Sequence, residues 1–343
     1  MGDIQIKSCP GTLSDACVSY SNSCLKSVFF GKKVNHILPF ELPKTKECLV
    51  KEQDNTLFGD YTYIIEQIKN KLFLTLDESK ATHYLKTSNV AFDTSFDILA
   101  NEHLTMQIAA QVYSMNVSPN ALIWFKDGQM AYITKKCDYI SDGSRLKKLT
   151  VDSLIDSNVC ISFEELATLI RLNLPAWRIE IEKFFSIVIF HYLFGNGAYR
   201  ENLFSFIQSQ LGDLILSPAY NLINTSLHQP LTSSPVEGLF TDDFISKESK
   251  QSGKIHKNDF VEFGKRIGVL EKRIDKILQP FLEFQPKVEL LISNSFISNS
   301  MKRNYLLNYN TKLNYLTMQL STIEQISIKA ASPSNLIIPF NDL

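Results

Sequence analysis

Residues 176–194 limit the folds open to this chain more than any other stretch. The run Ala176–Phe194 is apolar on most faces beyond Lys183, so it reads as a buried helix. Pro175 opens it, because a helix start tolerates the missing N–H, and Gly195-Asn196-Gly197 ends it. Ser162–Leu172 precedes it as an amphipathic helix, with Ser162 as cap and Glu165 three residues on, a capping box. Leu203–Ile207 and Leu214–Leu216 then read as a hairpin around Gly212-Asp213. Residues 228–256 are a polar loop, and Asp259 to about Ile328 reads as consecutive helices broken near Gly268 and Pro280.

The first part of the chain has a different pattern. Residues 1–50 are short apolar runs interrupted by Pro10, Gly11, Gly31, Pro39 and Pro43, which suggests an irregular appendage. Ile64–Ile68 and Leu72–Leu76 alternate as strands around Lys69-Asn70, and Thr82–Lys86 is another short strand. Asn101–Tyr113 has helical spacing with Asn101 as its cap. Ala121–Phe125 and Met130–Thr134 flank Lys126-Asp127-Gly128 as a hairpin. Strands give way to helices near 135–150, which predicts an N-terminal lobe over 51–138, a helical lobe over 139–331 and a tail over 332–343.

Composition excludes several classes. The 343 residues are 44% hydrophobic and 21% charged, as in ordinary globular proteins. With 35 basic and 36 acidic residues, nothing draws the chain to nucleic acid directly or to a membrane surface. No run reaches the roughly 18 apolar residues of a membrane span, and Met1–Lys7 lacks signal-peptide character. The six cysteines (Cys9, Cys17, Cys24, Cys48, Cys137, Cys160) form no C-x-x-C pair and are expected as reduced thiols in a cytoplasmic protein. His103 and His191 lie on apolar helices and read as core histidines. Arg145, Lys147 and Lys148 read as a solvated basic spot, and the Lys302–Tyr315 stretch reads as a surface helix. No Ser-His-Asp elbow, H-E-x-x-H or Walker loop is present.

Four stretches in one register resemble the HipA family, in its stand-alone kinase-core form. They are Asn101-Glu102-His103-Leu104-Thr105-Met106-Gln107-Ile108-Ala109 with Ala131–Asp138; Phe184-Phe185-Ser186 running into Phe194-Gly195-Asn196-Gly197; Leu216–Thr225; and Phe260–Arg266. The resemblance implies an α+β, two-lobed protein-kinase-like fold, with a small mixed N-terminal lobe and a larger, mainly helical C-terminal lobe. It implies ATP as cofactor and Lys86 as the strand lysine that anchors phosphates, with Glu102 supporting it from the helix. Lys135 and Asp138 join the same nucleotide-binding set. Gly59-Asp60-Tyr61-Thr62-Tyr63 stands where relatives carry Gly-Val-Gln-x-Lys over the phosphates, an exchange that brings in an acid.

Phosphoryl transfer needs positioned phosphates, Mg²⁺ and a carboxylate that orients the attacking hydroxyl. The family's N-x-D-A-H-L-K-N is here Asn196-Gly197-Ala198-Tyr199-Arg200-Glu201-Asn202-Leu203. Ala198 therefore takes the catalytic Asp position, Arg200 the His and Leu203 the metal-binding Asn. Alanine neither accepts a proton nor orients a hydroxyl. In S-P-A-Y-D-L the aspartate is replaced by Asn221, which keeps the shape and loses the charge Mg²⁺ prefers. A one-residue shift would return Asn202 to the metal, and Glu201 or Asp213 are the acids a divergent enzyme would recruit. The expectation is thus a pseudokinase with doubtful Mg²⁺ use, acting through a protein partner: an antitoxin-like protein or a small subunit completing the N-terminal lobe. Nucleic acid would be reached only through that partner. The alternatives are a divergent serine/threonine kinase and a nucleotide-binding switch without turnover.

Overall fold

The computed structural model describes residues 6–15, 17, 19–42, 50–54, 61–68, 71–75, 82–87, 95–140, 144–154, 161–197, 204–228 and 238–318. A six-stranded antiparallel sheet forms the N-terminal half, with strand order β1-β2-β3-β4-β6-β5. Its strands are β1 Val50–Asp54, β2 Tyr61–Ile68, β3 Lys71–Thr75, β4 His83–Thr87, β5 Asn120–Trp124 and β6 Met130–Lys135. The expected β5–β6 hairpin forms, with Trp124 opposite Met130 and Asn120 opposite Thr134. The sequence of these two strands is almost continuously apolar because both faces are covered. Ala121, Ile123, Phe125, Ala131 and Ile133 point to one side, and Leu122, Trp124, Met130 and Tyr132 to the other.

The side that holds Ala121 is covered by the N-terminal segment. Its helix α1, Asn22–Val28, is capped by Ser21, and Cys9, Tyr20, Cys24, Val28, Phe29, Val34, Leu38 and Phe40 make one buried cluster with the sheet. The described part of the expected appendage is therefore a core layer. Proline and glycine break its periodicity, yet backbone bonds such as Leu122 N to Pro10 O at 2.8 Å tie it to β5.

Helix α2, Ser95–Gln111, covers the other face and begins six residues before the expected cap. Asn101 is inside this helix and fully buried, so its role differs from the one its position suggested. Beyond α2 the C-terminal half is mostly helical: α3 Phe163–Asn173, α4 Trp177–Leu193, α5 Lys247–Ser252, α6 Lys257–Arg266, α7 Glu271–Leu278, α8 Pro286–Asn294 and α9 Asn299–Thr317. The capping box of α3 is present, with Glu165 N donating to Ser162 Oγ at 3.1 Å and Ser162 N to Glu165 Oε2 at 2.6 Å. α4 is buried as its composition required, with Ile181, Phe184, Phe185, Ile187–His191 and Leu193 all in the core. Even Glu180 is buried, satisfied by Leu216 N at 3.0 Å and Lys183 Nζ at 2.7 Å.

A second sheet joins β7 Lys148–Thr150, β8 Ser205–Gln208 and β9 Leu214–Leu216, which includes the expected hairpin. The described end of the polar 228–256 loop folds as α5, held by Asp259. That carboxylate accepts from Ser246 N at 3.0 Å, from His256 N at 2.9 Å and from the Ser249 hydroxyl. α9 corrects a second expectation. Tyr305 and Tyr309 are buried, and the Tyr305 hydroxyl lies 2.8 Å from Thr105 Oγ1, so the helix packs on α2 where a surface helix was expected. No described helix is long and apolar enough to cross a membrane.

Candidate functional site

The site is built where β4, α2 and the segment after β9 meet. Side chains alternate along β4: His83 and Leu85 face the N-terminal layer, which sends Lys86 to the α2 side. There Lys86 Nζ donates to Glu102 Oε1 at 2.5 Å and to Asn221 Oδ1 at 2.7 Å, and lies 5.4 Å from the centre of the Tyr132 ring. The lysine side chain is 39% exposed and that of Glu102 only 8%, so the ammonium is held from below and open above. Burial raises the Tyr132 phenol well above its usual range, and the Glu102 carboxylate adds to the effect. Tyr132 is therefore a neutral floor.

Asn221 has φ +55°, the left-handed region that asparagine tolerates better than most residues. A lysine only donates, so the Asn221 amide must turn its oxygen to Lys86. The Asn221 NH₂ group has no hydrogen bond among the described residues and is free to donate. Asn196 fixes the backbone here, its Nδ2 donating to Asn221 O at 3.1 Å. Ala219, two residues earlier, exchanges bonds with the loop after α2: Ala219 N to Asn116 O at 2.8 Å and Ser118 N to Ala219 O at 2.9 Å.

Asn101 locks the two halves together. Its Nδ2 donates to Asn224 O at 2.9 Å and its Oδ1 accepts from Asn224 N at 3.1 Å, a two-way bond across 123 residues of sequence. Thr225 extends the frame to the end of α4, its N and Oγ1 donating to Gly195 O at 3.1 and 2.9 Å. Gly195 has φ +65°, and a β-carbon there would come within 2.7 Å of Ser226 Oγ and 2.9 Å of Asn224 Oδ1, so only glycine fits. Lys312 of α9 donates to Tyr192 O at 2.8 Å at the same helix end, and burial lowers its pKa to about 8.

The candidate residues do not all converge. Lys86, Glu102 and Asn221 meet. Lys135 does not: β6 pairs Lys135 with His83 and Tyr132 with Lys86, and three residues of offset put Lys135 on the other face. Its Nζ stands 4.0 Å from the centre of the Phe30 ring, and burial lowers its pKa. Asp138 instead accepts from Arg145 Nη1 at 3.0 Å. Asp213 is exposed in the β8–β9 turn. Gly59, Ala198, Arg200, Glu201, Asn202 and Leu203 lie outside the described residues. Sequence reasoning missed Asn101, Asn196 and Tyr132 as the frame of this site. A polar residue amid the buried face of α2 was the available signal for Asn101. Lys148, expected in a solvated spot, stands 4.7 Å from the centre of the Tyr220 ring, next to Asn221.

The geometry suits anchoring of phosphate oxygens by Lys86, with the Asn221 amide as a second donor. Glu102 is committed to Lys86 and Asn221 is neutral, while the 198–203 stretch, where the family motif carries its metal-binding asparagine, lies outside the described residues.

Comparison with known proteins gives the same fold. A Haemophilus influenzae protein named "Putative kinase" is 24% identical over 315 residues, covering 83% of this chain and 88% of its own. Among solved structures, HipA of the Shewanella oneidensis toxin–antitoxin system, solved with HipB and operator DNA, superposes with a TM-score of 0.51 at 15% identity. The match covers 85% of this chain and 68% of that one. The Helicobacter pylori proinflammatory kinase CtkA gives a TM-score of 0.46 at 11% identity, covering 79% and 95%. The superposition on the Shewanella HipA establishes the α+β, two-lobed kinase-like architecture, and the model of the HipA-like C-terminal domain matches residues 65–287. That match spans well over half the sequence: the chain belongs to the HipA-like C-terminal domain family.

Proposed function

We propose that this protein is a pseudokinase: a HipA-like kinase fold that has lost phosphoryl transfer and acts as a regulatory, protein-binding module in the cytoplasm. The observation that carries the reading is the Lys86–Glu102–Asn221 cluster, in which a carboxamide stands where the family motif has a carboxylate. Its oxygen already serves Lys86, leaving an NH₂ group that repels a cation and attracts an anion. Ala198 supports the same conclusion from sequence, since a positioned acid or base is worth roughly 10²–10⁴-fold in rate. Lys86 and Asn221 together favour ATP binding through direct donors to phosphate, without Mg²⁺. The solved complex of the Shewanella protein with HipB and operator DNA supports a protein partner for this chain, antitoxin-like or completing the N-terminal lobe.

Incubating the purified chain with radiolabelled ATP, Mg²⁺ or Mn²⁺ and a generic acceptor tests the reading. The expected result is no phosphate transfer, with a thermal shift from ATP alone that Lys86→Ala removes. Robust autophosphorylation abolished by Lys86→Ala would establish a divergent serine/threonine kinase instead.

A further inference from the structure

The N-terminal layer carries a thiol arrangement unrelated to the nucleotide reading. Cys9 and Cys24 are both buried and free. Three backbone N–H groups point at Cys9 Sγ: Gly11 and Thr12 at 3.4 Å each and Ser21 at 3.2 Å. Ser21 Oγ lies 3.5 Å from the same sulfur and also accepts from Cys24 N at 3.3 Å. Cys24 Sγ fills the space above Gly11 so closely that a β-carbon there would fall 2.0 Å from it. Both sulfurs are thus gathered on Gly11 and Ser21.

A chain of hydroxyls leads outward from this pair. Ser21 Oγ contacts Thr12 Oγ1 at 3.2 Å and Ser23 Oγ at 3.0 Å, and Thr12 Oγ1 contacts Ser14 Oγ at 3.0 Å, with the outer bonds exposed. Donors converging on one sulfur stabilise its anion, and a hydroxyl chain to solvent gives its proton an exit. The titration of the pair agrees in direction. Cys9 is lowered to about 4, chiefly by the neighbouring Cys24, while Cys9 and burial push Cys24 up. The direction favours the anion on Cys9, where the three backbone N–H groups converge.

We propose that Cys9 and Cys24 are a hydroperoxide-oxidisable dithiol, with Cys9 attacking and Cys24 resolving. The Cys9 thiolate attacks the outer peroxide oxygen, an S–O bond forms, the O–O bond breaks, and the leaving alkoxide or hydroxide takes up a proton. Cys24 sulfur then attacks the Cys9 sulfur: the S–S bond forms, the S–O bond breaks, and hydroxide leaves with the Cys24 proton as water. The two thiols lose two electrons, and the peroxide is reduced to an alcohol (or water) and one water. Burial of both sulfurs selects for a small oxidant and shields the product from bulky thiols.

The test uses the full chain, reduced and desalted, then treated with hydrogen peroxide, quenched by alkylation in denaturant and mapped by mass spectrometry. The expected result is a Cys9–Cys24 linked peptide, cleaved by dithiothreitol and formed at least about tenfold faster than Cys137 reacts, since burial raises the Cys137 thiol. Cys24→Ser should replace the link by a dimedone-reactive sulfenic acid on Cys9. Both cysteines remaining alkylatable, or first labelling at Cys17 or Cys137, would overturn the proposal. The wild-type map decides it without any variant having to fold.

Discussion

Strand β4 faces two environments, and alternate residues of it have opposite fates. On the N-terminal side His83 is fully buried, its Nε2 bonded to Val28 O at 2.8 Å and its Nδ1 to Thr82 Oγ1 at 2.7 Å, and its ring meets Phe29 at a tilt and Phe30 edge-on. On the α2 side Lys86 is half open, braced by Glu102 and Asn221. The closed side spends its polar groups on internal partners. The open side keeps one cation and one amide able to meet a ligand. A strand can therefore present binding chemistry on one face only because the other is sealed, and the sealing is done by residues with no part in binding.

This contrast can be broken from either side. The largest effect is expected at Phe29, which is fully buried: Phe29→Ala should lower stability by about 3–5 kcal/mol in denaturant unfolding. Acid comes next. Burial depresses the His83 pKa from 6.5 to about 4, against a smaller opposing effect of the Val28 bond. The unfolded chain takes up this proton near pH 6.5 and the folded chain only near pH 4. Stability from this group is therefore full above pH 6.5 and falls as pH drops towards 4, by about 3 kcal/mol. His83→Leu should make the acid limb of a stability-against-pH curve measurably shallower.

On the open side, Asn221→Asp should raise the affinity for ATP in the presence of Mg²⁺ on the order of tenfold, read by calorimetry with and without the metal. No turnover should accompany it. The smallest effect is expected when the Lys86–Glu102 pair is neutralised together, as Lys86→Met with Glu102→Gln. Removing both charges leaves neither unpaired, so stability should move by less than about 1 kcal/mol while ATP binding disappears. A large loss of stability would mean that the pair is structural and would blur the contrast between the faces.

Much of the local structure was legible because it depends on neighbours in sequence. The Ser162–Glu165 capping box, the β5–β6 hairpin and the buried α4 each follow from spacing within a dozen or so residues. The site was legible in part. Lys86, Glu102 and Asn221 came from one motif register, but their junction at a single ammonium depends on a β4–β6 alignment that no local pattern encodes. Lys135 shows the limit: the register that places Tyr132 beside Lys86 sends Lys135 behind the sheet. Asn101 has the residue type of a helix cap, and its true partner, Asn224, is far along the chain. The tyrosines of α9 seemed to belong to a surface because their hydroxyl partners lie on other elements.

The backbone at Asn221 bears on how this family member could change over time. Its left-handed conformation suits asparagine and aspartate alike. Their side chains differ by one terminal group and their codons by a single base. The scaffold around that position, from Asn196 to the Asn101–Asn224 lock, makes no demand on the charge it carries. A lineage could therefore exchange asparagine and aspartate here without repacking anything, and populations of related genes should contain both letters at this position on otherwise similar backgrounds.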